Sequence, residues 1–212
     1  MFKPIRWKTF PRDFLVIQIG FATFGFSLAM MIRANIGTSA WSMLEVAIAK
    51  LTGISIGNMS IIVGFAVLTG SVILREQIGW GTLGNILFIG PWIDLSLWLI
   101  PTIQYPLWLE ITMLLAAIFL MGLASAVYIG VDAGAGPRDS LMLAIHRKTG
   151  WSVRTARTAI EVVVVGVGWL LGGPAGIGTV VFAVLIGPSV QFWFKALKVQ
   201  TSREVDAEVE DG

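Results

Sequence analysis

Few side chains in this chain of 212 residues have the means to do chemistry, and several of those lie inside apolar runs. Glu161 falls about halfway along the apolar stretch 153–172. A carboxylate at that depth in a membrane segment is costly, so it is by default a candidate for handling charge or protons. Arg157 stands one helical turn back and Arg154 a further turn, on the same helix face. A ladder of that kind equally allows Glu161 to pair internally and reach toward the surface, and both readings stand. Asp94 and Gln191 each follow a Gly-Pro pair by one turn, Gly90-Pro91 and Gly187-Pro188. Proline inside a helix removes an N–H and pushes away the carbonyl four residues back. A kink there offers acceptors to a hydrogen bond or a cation; a packing kink is the plain alternative, since Gly and Pro are common in membrane helices.

The remaining candidates sit at the starts of two short segments, 39–51 and 137–149. The first follows Ile36-Gly37-Thr38-Ser39, and the second opens on Gly134-Ala135-Gly136-Pro137. Ser39 suits a helix N-cap and Pro137 a first helical turn. Gly53 and Gly150 stand where a helix C-terminal glycine belongs. Unpaired N–H groups and the positive dipole end make a helix start a site for an anion. Arg138 adds a charge there, and Asp139 is a first-turn acid that complements the dipole. Gly37, Ser39 and Trp41 in the first segment, with Gly136, Arg138 and Asp139 in the second, are the candidate solute contacts. At about 20 Å each, these helices fall short of a full membrane crossing. They either re-enter the membrane as half-helices or lie flat at its surface.

Enzyme signatures are missing from the sequence: it has no P-loop, no nucleophile elbow and no zincin motif. A chain with no cysteine and one histidine gives little to bind a metal. We expect no catalytic residue and no cofactor. The composition is 56% hydrophobic and 13% charged, with a mean hydropathy of +0.81. Soluble domains carry about 25% charged residues, so lipid is the expected solvent. The net charge of +2 does not gather into a patch for nucleic acid.

The elements that must position these residues are written twice. Residues 14–94 align without a gap on residues 111–191, a shift of 97, with 18 identities in 81 positions. Gly37 meets Gly134, Thr52-Gly53 meets Thr149-Gly150, and Ile89-Gly90-Pro91 meets Ile186-Gly187-Pro188. Six runs are long enough to span the roughly 30 Å of hydrocarbon: 14–32, 56–74, 81–100, 107–130, 153–172 and 177–196. Each copy then reads as span, short helix, span, span. Three crossings per copy turn the second copy upside down, which is a plan of channels and transporters. With the N-terminus in the cytoplasm, 13 of the 15 basic residues fall inside and only Arg33 and Lys50 outside, as the positive-inside rule requires. Trp7, Trp80, Trp108, Trp151 and Trp193 fall at span edges, as an aromatic belt does. Residues 198–212 end acidic and are expected to be disordered.

The segment Gly134-Ala-Gly-Pro-Arg-Asp-Ser-Leu-Met-Leu, followed by His146-Arg-Lys-Thr-Gly-Trp-Ser-Val-Arg and Arg157-Thr-Ala-Ile-Glu161, resembles the YczE-like bacterial integral membrane proteins. So does Ile36-Gly-Thr-Ser-Ala-Trp41 with its downstream Thr-Gly-Ile-Ser-Ile-Gly. These are sometimes grouped with the YitT-type proteins. The resemblance implies a multi-pass protein of the bacterial inner (cytoplasmic) membrane and brings no catalytic residues with it.

The expected fold is therefore all-α and membrane-embedded: six transmembrane helices and two half-helices in two inverted repeats. The expected function is a channel or secondary transporter for a small polar or anionic solute at the repeat interface. A membrane scaffold acting through the basic segment 131–157 is the alternative. The bilayer is the expected partner, and Gly168-x-x-x-Gly172 allows helix association within or between chains, including a homo-oligomer.

Overall fold

The computed structural model describes residues 5–74, 79–134, 136–151 and 153–199. The side chains of Asp139, Leu143, Val153, Arg154 and Arg157 lie outside that description, as do Ala135 and residues 200–212 of the acidic tail. Among the described residues there is no strand. The helices are α1 Phe10–Ala34, α2 Ala40–Thr52, α3 Ile56–Ile73, α4 Trp80–Leu99, α5 Leu107–Ile129, α6 Pro137–Thr149, α7 Val153–Leu170 and α8 Ile177–Ala196. Shifted by 97, the bounds of α2, α3 and α4 become those of α6, α7 and α8, and α5 ends two residues short of the shifted α1.

Local chemistry explains the agreement. Ser39 caps α2 by accepting from the Ser42 N–H, and Ser55 caps α3 by accepting from the Asn58 N–H. Each satisfies a donor that the helix itself leaves without a partner. Pro137 opens α6, where its missing N–H costs nothing. Gly53 and Gly150 close α2 and α6 in the left-handed conformation, at φ 74° and 73°.

Among the described residues, five helices are long and apolar enough to cross a membrane: α1, α3, α4, α5 and α8. The other long helix, α7, spans 18 residues but carries Arg154, Arg157 and Glu161, and only Thr158–Leu170 reads as an apolar helix. Its expected crossing thus rests on the sequence pattern. The surface suits lipid: Trp98, Trp108, Trp169 and Leu170 are all more than 60% exposed.

The core forms where α1 crosses α5 and both meet the last helix of their own copy. Ile17, Phe21, Leu28 and Met31 of α1 pack with Ile93 of α4 and Ile118 of α5. Close approach depends on paired small residues. A Cβ on Gly25 would strike the Trp92 Cβ at 2.7 Å, and one on Gly122 would strike Ser189. Those two contacts are repeat-mates, since 25 and 92 become 122 and 189 on adding 97. Gly168 packs against Met43 and Leu44 of α2 within the chain, and Gly172 lies beyond the end of α7 at φ 79°. The small-residue spacing is thus used by an internal contact at Gly168.

The two short helices are packed elements of the bundle. Seven of the 13 residues of α2 are buried, and Trp41, Ile48 and Ala49 pack along α3 against Met59, Val63 and Val67.

The copies differ in one respect. In the first, α3 lies directly on α4, with Gly57 against Gly90 and Gly64 against Ile86. Among the described residues, α7 and α8 do not pack in this way. The residues that bring α3 onto α4, Gly57, Gly64 and Asp94, are replaced in the second copy by Arg154, Glu161 and Gln191. Gly187, the mate of Gly90, has nothing within 4 Å of a built Cβ. A matched pair of variants tests this difference. Gly90→Ala should lower the melting temperature through an overpacking cost of about 1–3 kcal/mol. Gly187→Ala should leave it unchanged or raise it slightly, because alanine is the better helix former. Equal melts for the two variants would contradict the asymmetry.

Candidate functional site

Each short helix starts from a turn that only certain residues tolerate. Asn35 and Asp132 both adopt φ 55°, and Gly37 and Gly134 follow at φ 123° and 128°. Asn and Asp are the non-glycine residues that accept positive φ most readily. The turns are strapped to the opposite copy. Gly178 N–H donates to the Ile36 carbonyl at 2.8 Å, and Gly81 N–H donates to the Ala133 carbonyl at 3.0 Å. These are one contact made twice, with the copies exchanging roles. Thr38 N–H also donates to Thr179 Oγ1 at 3.2 Å. The starts of α2 and α6 are thus anchored to the starts of α8 and α4.

That anchoring brings both helix starts to one cavity of about 210 Å³. Ser39, Ala40 and Trp41 line it from the first copy, and Gly136, Pro137 and Arg138 from the second. Its walls are largely apolar, with Phe24 and Leu28 from α1, Ile86 and Ile89 from α4, and Phe182 and Ile186 from α8. Polar groups enter at a few points: Ser60 from α3, Asn85 from α4, Ser125 from α5 and Glu161 from α7.

Arg138 carries the positive charge of the described cavity wall. Its guanidinium lies 5.0 Å from the centroid of the Trp41 ring, so these two repeat-mates meet directly. A cation over an indole face is stabilised by the ring quadrupole. One terminal nitrogen of Arg138 lies 2.5 Å from Glu45 Oε1. Glu45 is completely buried. Ser60 Oγ donates to the same carboxylate oxygen at 3.2 Å, and Oε2 has no hydrogen-bond partner among the described residues. Buried carboxylates normally satisfy both oxygens, so this orphaned atom marks the site as unusual.

Glu45 is not among the site residues expected from the sequence. A signal was available: an acid between Leu44 and Val46, with Trp41, Ser42, Ile48 and Ala49 as its helical neighbours and no basic residue among them. Its mate in the second copy is Met142. An acid so placed needs a partner from elsewhere in the fold.

The other candidates divide clearly. Ser39, Trp41, Gly136, Arg138 and Glu161 all line the cavity. Gly37 is buried beside them, with its backbone against Thr179. Asp94 is used elsewhere, accepting from Ser55 Oγ at 2.5 Å and from the Gly57 N–H at 2.8 Å. It ties the start of α3 to α4. Gln191 is exposed. Pro91 and Pro188 lie inside α4 and α8, which are assigned as single helices through Gly90-Pro91 and Gly187-Pro188. Neither pair contributes to the cavity wall. The proposed partner Arg157 and the first-turn acid Asp139 have side chains outside the described residues.

Comparison with known sequences places the chain. Residues 11–195 match a family of unknown function, DUF6198. The chain belongs to this family. It is similar to the uncharacterized membrane protein YczE of Bacillus subtilis, at 33% identity over 190 residues, covering 89% of this chain and 85% of that protein. An uncharacterized protein of Haemophilus influenzae is 31% identical over 193 residues, covering 90% and 87%. The B. subtilis protein YyaS is 24% identical over 178 residues, covering 82% and 88%. No solved structure matches significantly. With a membrane-protein relative and five helices of spanning length, this DUF6198 member is a multi-pass membrane protein.

Proposed function

We propose that the protein is a channel or secondary transporter for a small polar or anionic solute, built as two inverted repeats. In this reading α1, α3 and α4 cross the membrane in the first repeat, and α5, α7 and α8 in the second, with both termini in the cytoplasm. The shift of 97 in helix bounds and the exchanged hydrogen bonds Gly178–Ile36 and Gly81–Ala133 support a twofold relation between the copies. The distribution of 13 basic residues against two supports the orientation. Helices α2 and α6 are re-entrant: they start in the protein interior and end at opposite surfaces, where Lys50 on one and Arg147 and Lys148 on the other are exposed.

One observation carries the reading. Equivalent helix starts from the two copies meet at a single cavity, and Arg138 stands in its wall. Helix N-termini supply unpaired N–H groups and positive potential. Irregular backbone within a membrane is tolerated where it is buried in protein or lines a water-filled cavity, and Gly37, Thr38 and Ser39 of one turn and Ala133 and Gly136 of the other are buried.

The absence of native cysteine gives a silent background for the test. Single cysteines at Ala40 and Pro137, repeat-mates in the cavity wall, are labelled with a membrane-impermeant thiol reagent in intact cells and in inverted vesicles. A path across the membrane predicts reaction of both positions from both sides, or from a side that changes with conditions. If each position reacts from one fixed side only, or neither reacts, the transport reading fails.

A further inference from the structure

The contents of the cavity wall go further than a general polar solute. Among the described residues Arg138 is the one basic group in it, and one monovalent cation balances one negative charge. Most of the remaining surface is aliphatic or aromatic, including Leu28, Ile86, Ile89 and Phe182. An inorganic anion would leave that surface without a partner. A volume of about 210 Å³ is below the roughly 300–1,000 Å³ of pockets for drug-sized ligands. A guanidinium binds a carboxylate through paired N–H donors. The group already on Arg138 is itself a carboxylate, that of Glu45.

From this we infer that the solute is a small monocarboxylate with an apolar tail, and that it takes the place of Glu45 on Arg138 while Glu45 takes up one proton. The inference rests on the transport reading above and adds the substrate class and the coupling.

The charges balance. Before binding, Glu45⁻ and Arg138⁺ form a neutral pair. After binding, the solute carboxylate pairs with Arg138⁺, and the proton drawn from solution sits on the Glu45 carboxyl. Oε2, which has no hydrogen-bond partner among the described residues, is the oxygen that takes that proton. Ser60 stays within reach as a hydrogen-bond partner. Leaving Glu45 ionised and unpaired would place an uncompensated charge in a fully buried site, which costs several kcal/mol, so release of Arg138 and protonation go together. The described charged groups near Glu45 are few. Helix α3 carries no ionisable residue. Helix α6 presents Arg138, and Glu161 of α7 lines the same cavity as Arg138. On α2 itself the only other charge is Lys50, at the exposed end.

The test uses full-length protein in detergent, with benzoate as the probe and nitrate and glycerol as comparisons. Isothermal calorimetry in two buffers of different ionisation enthalpy measures protons taken up per benzoate bound. The expected result is close to one proton per benzoate, with affinity falling about tenfold per unit of rising pH. Glu45→Gln should still bind benzoate, with no proton uptake and an affinity flat in pH. The wild-type measurement stands alone if the variant folds poorly. Benzoate binding without proton uptake, or uptake that persists in Glu45→Gln, overturns the coupling. Binding of nitrate or glycerol but not benzoate overturns the substrate class. No binding of any probe also overturns the inference, whereas the transport reading is decided separately by the cysteine labelling.

Discussion

Arg138→Met is expected to lower the stability of the folded protein by about 3–5 kcal/mol, the usual cost of removing one partner from a buried ion pair. Adding Glu45→Met in the same chain should recover most of that loss. The asymmetry follows from what each change leaves behind. The single variant strands a completely buried carboxylate whose other oxygen lacks a partner among the described residues. In the double variant no charge remains to be desolvated, and methionine is what the second copy places at this position, as Met142. Ser60 loses its acceptor but can turn its hydroxyl to the carbonyl one turn back in α3. Arg138 retains 29% side-chain exposure, toward the cavity, which puts the expected loss at the lower end of the range. The measurement is a double-mutant cycle of unfolding midpoints in mixed micelles. If the double variant is as unstable as the sum of the two singles, the pair contributes no coupling and its place in the site is accidental. Recovery would mean that the chain retains a costly ion pair where an apolar pair suffices for folding, as expected of a group kept for function.

Much of the architecture can be read in the sequence because its signals are local. Ser39 and Ser55 begin helices, Gly53 and Gly150 end them, and Pro137 opens one, all as the residue types require. The short segment expected at 137–149 has those bounds, and the one expected at 39–51 is displaced by a single residue. What could not be read is which face meets which. In a membrane helix the apolar residues run all round, because lipid and protein interior are equally apolar, so periodicity loses its meaning. Nothing in the spacing of α3 reveals that Gly57 and Gly64 pack on α4. Asp94 shows where a local signal ends. It was legible as a polar group near a proline, but its partners Ser55 and Gly57 are 39 and 37 residues away. Arg138 was legible because a charge at a helix start has a local reason. Glu45 was not, since its reason lies 93 residues away in that arginine.

Gly37→Ala and Gly134→Ala should each reduce folded protein sharply, and to a similar extent. Both glycines adopt φ beyond +120°, outside the left-handed well that other residues visit. A side chain there costs about 1–3 kcal/mol in backbone strain. The added Cβ also has nowhere to go: it would sit 2.6 Å from the Thr179 nitrogen in one case and 2.7 Å from Gly79 Cα in the other. Both obstacles are backbone, so relief requires moving a helix start, at a further cost of about 1–3 kcal/mol. Against a typical total of about 5–15 kcal/mol, that sum threatens the fold. Gly53→Asn and Gly150→Asn are the controls. They stand at φ 74° and 73° with open space around them, and asparagine accepts that conformation. The readout is the yield of monodisperse protein and its melting temperature. A Gly37→Ala variant that melts like the controls would show that the strap to α8 does not hold the start of α2. A large loss at one turn and none at the other would be more informative still. The two turns share their φ angles and the matched Gly178–Ile36 and Gly81–Ala133 hydrogen bonds, so similar geometry predicts similar cost. Unequal cost would mean that one helix start can be displaced while the other is fixed, which is the mechanical asymmetry a gate at the cavity requires.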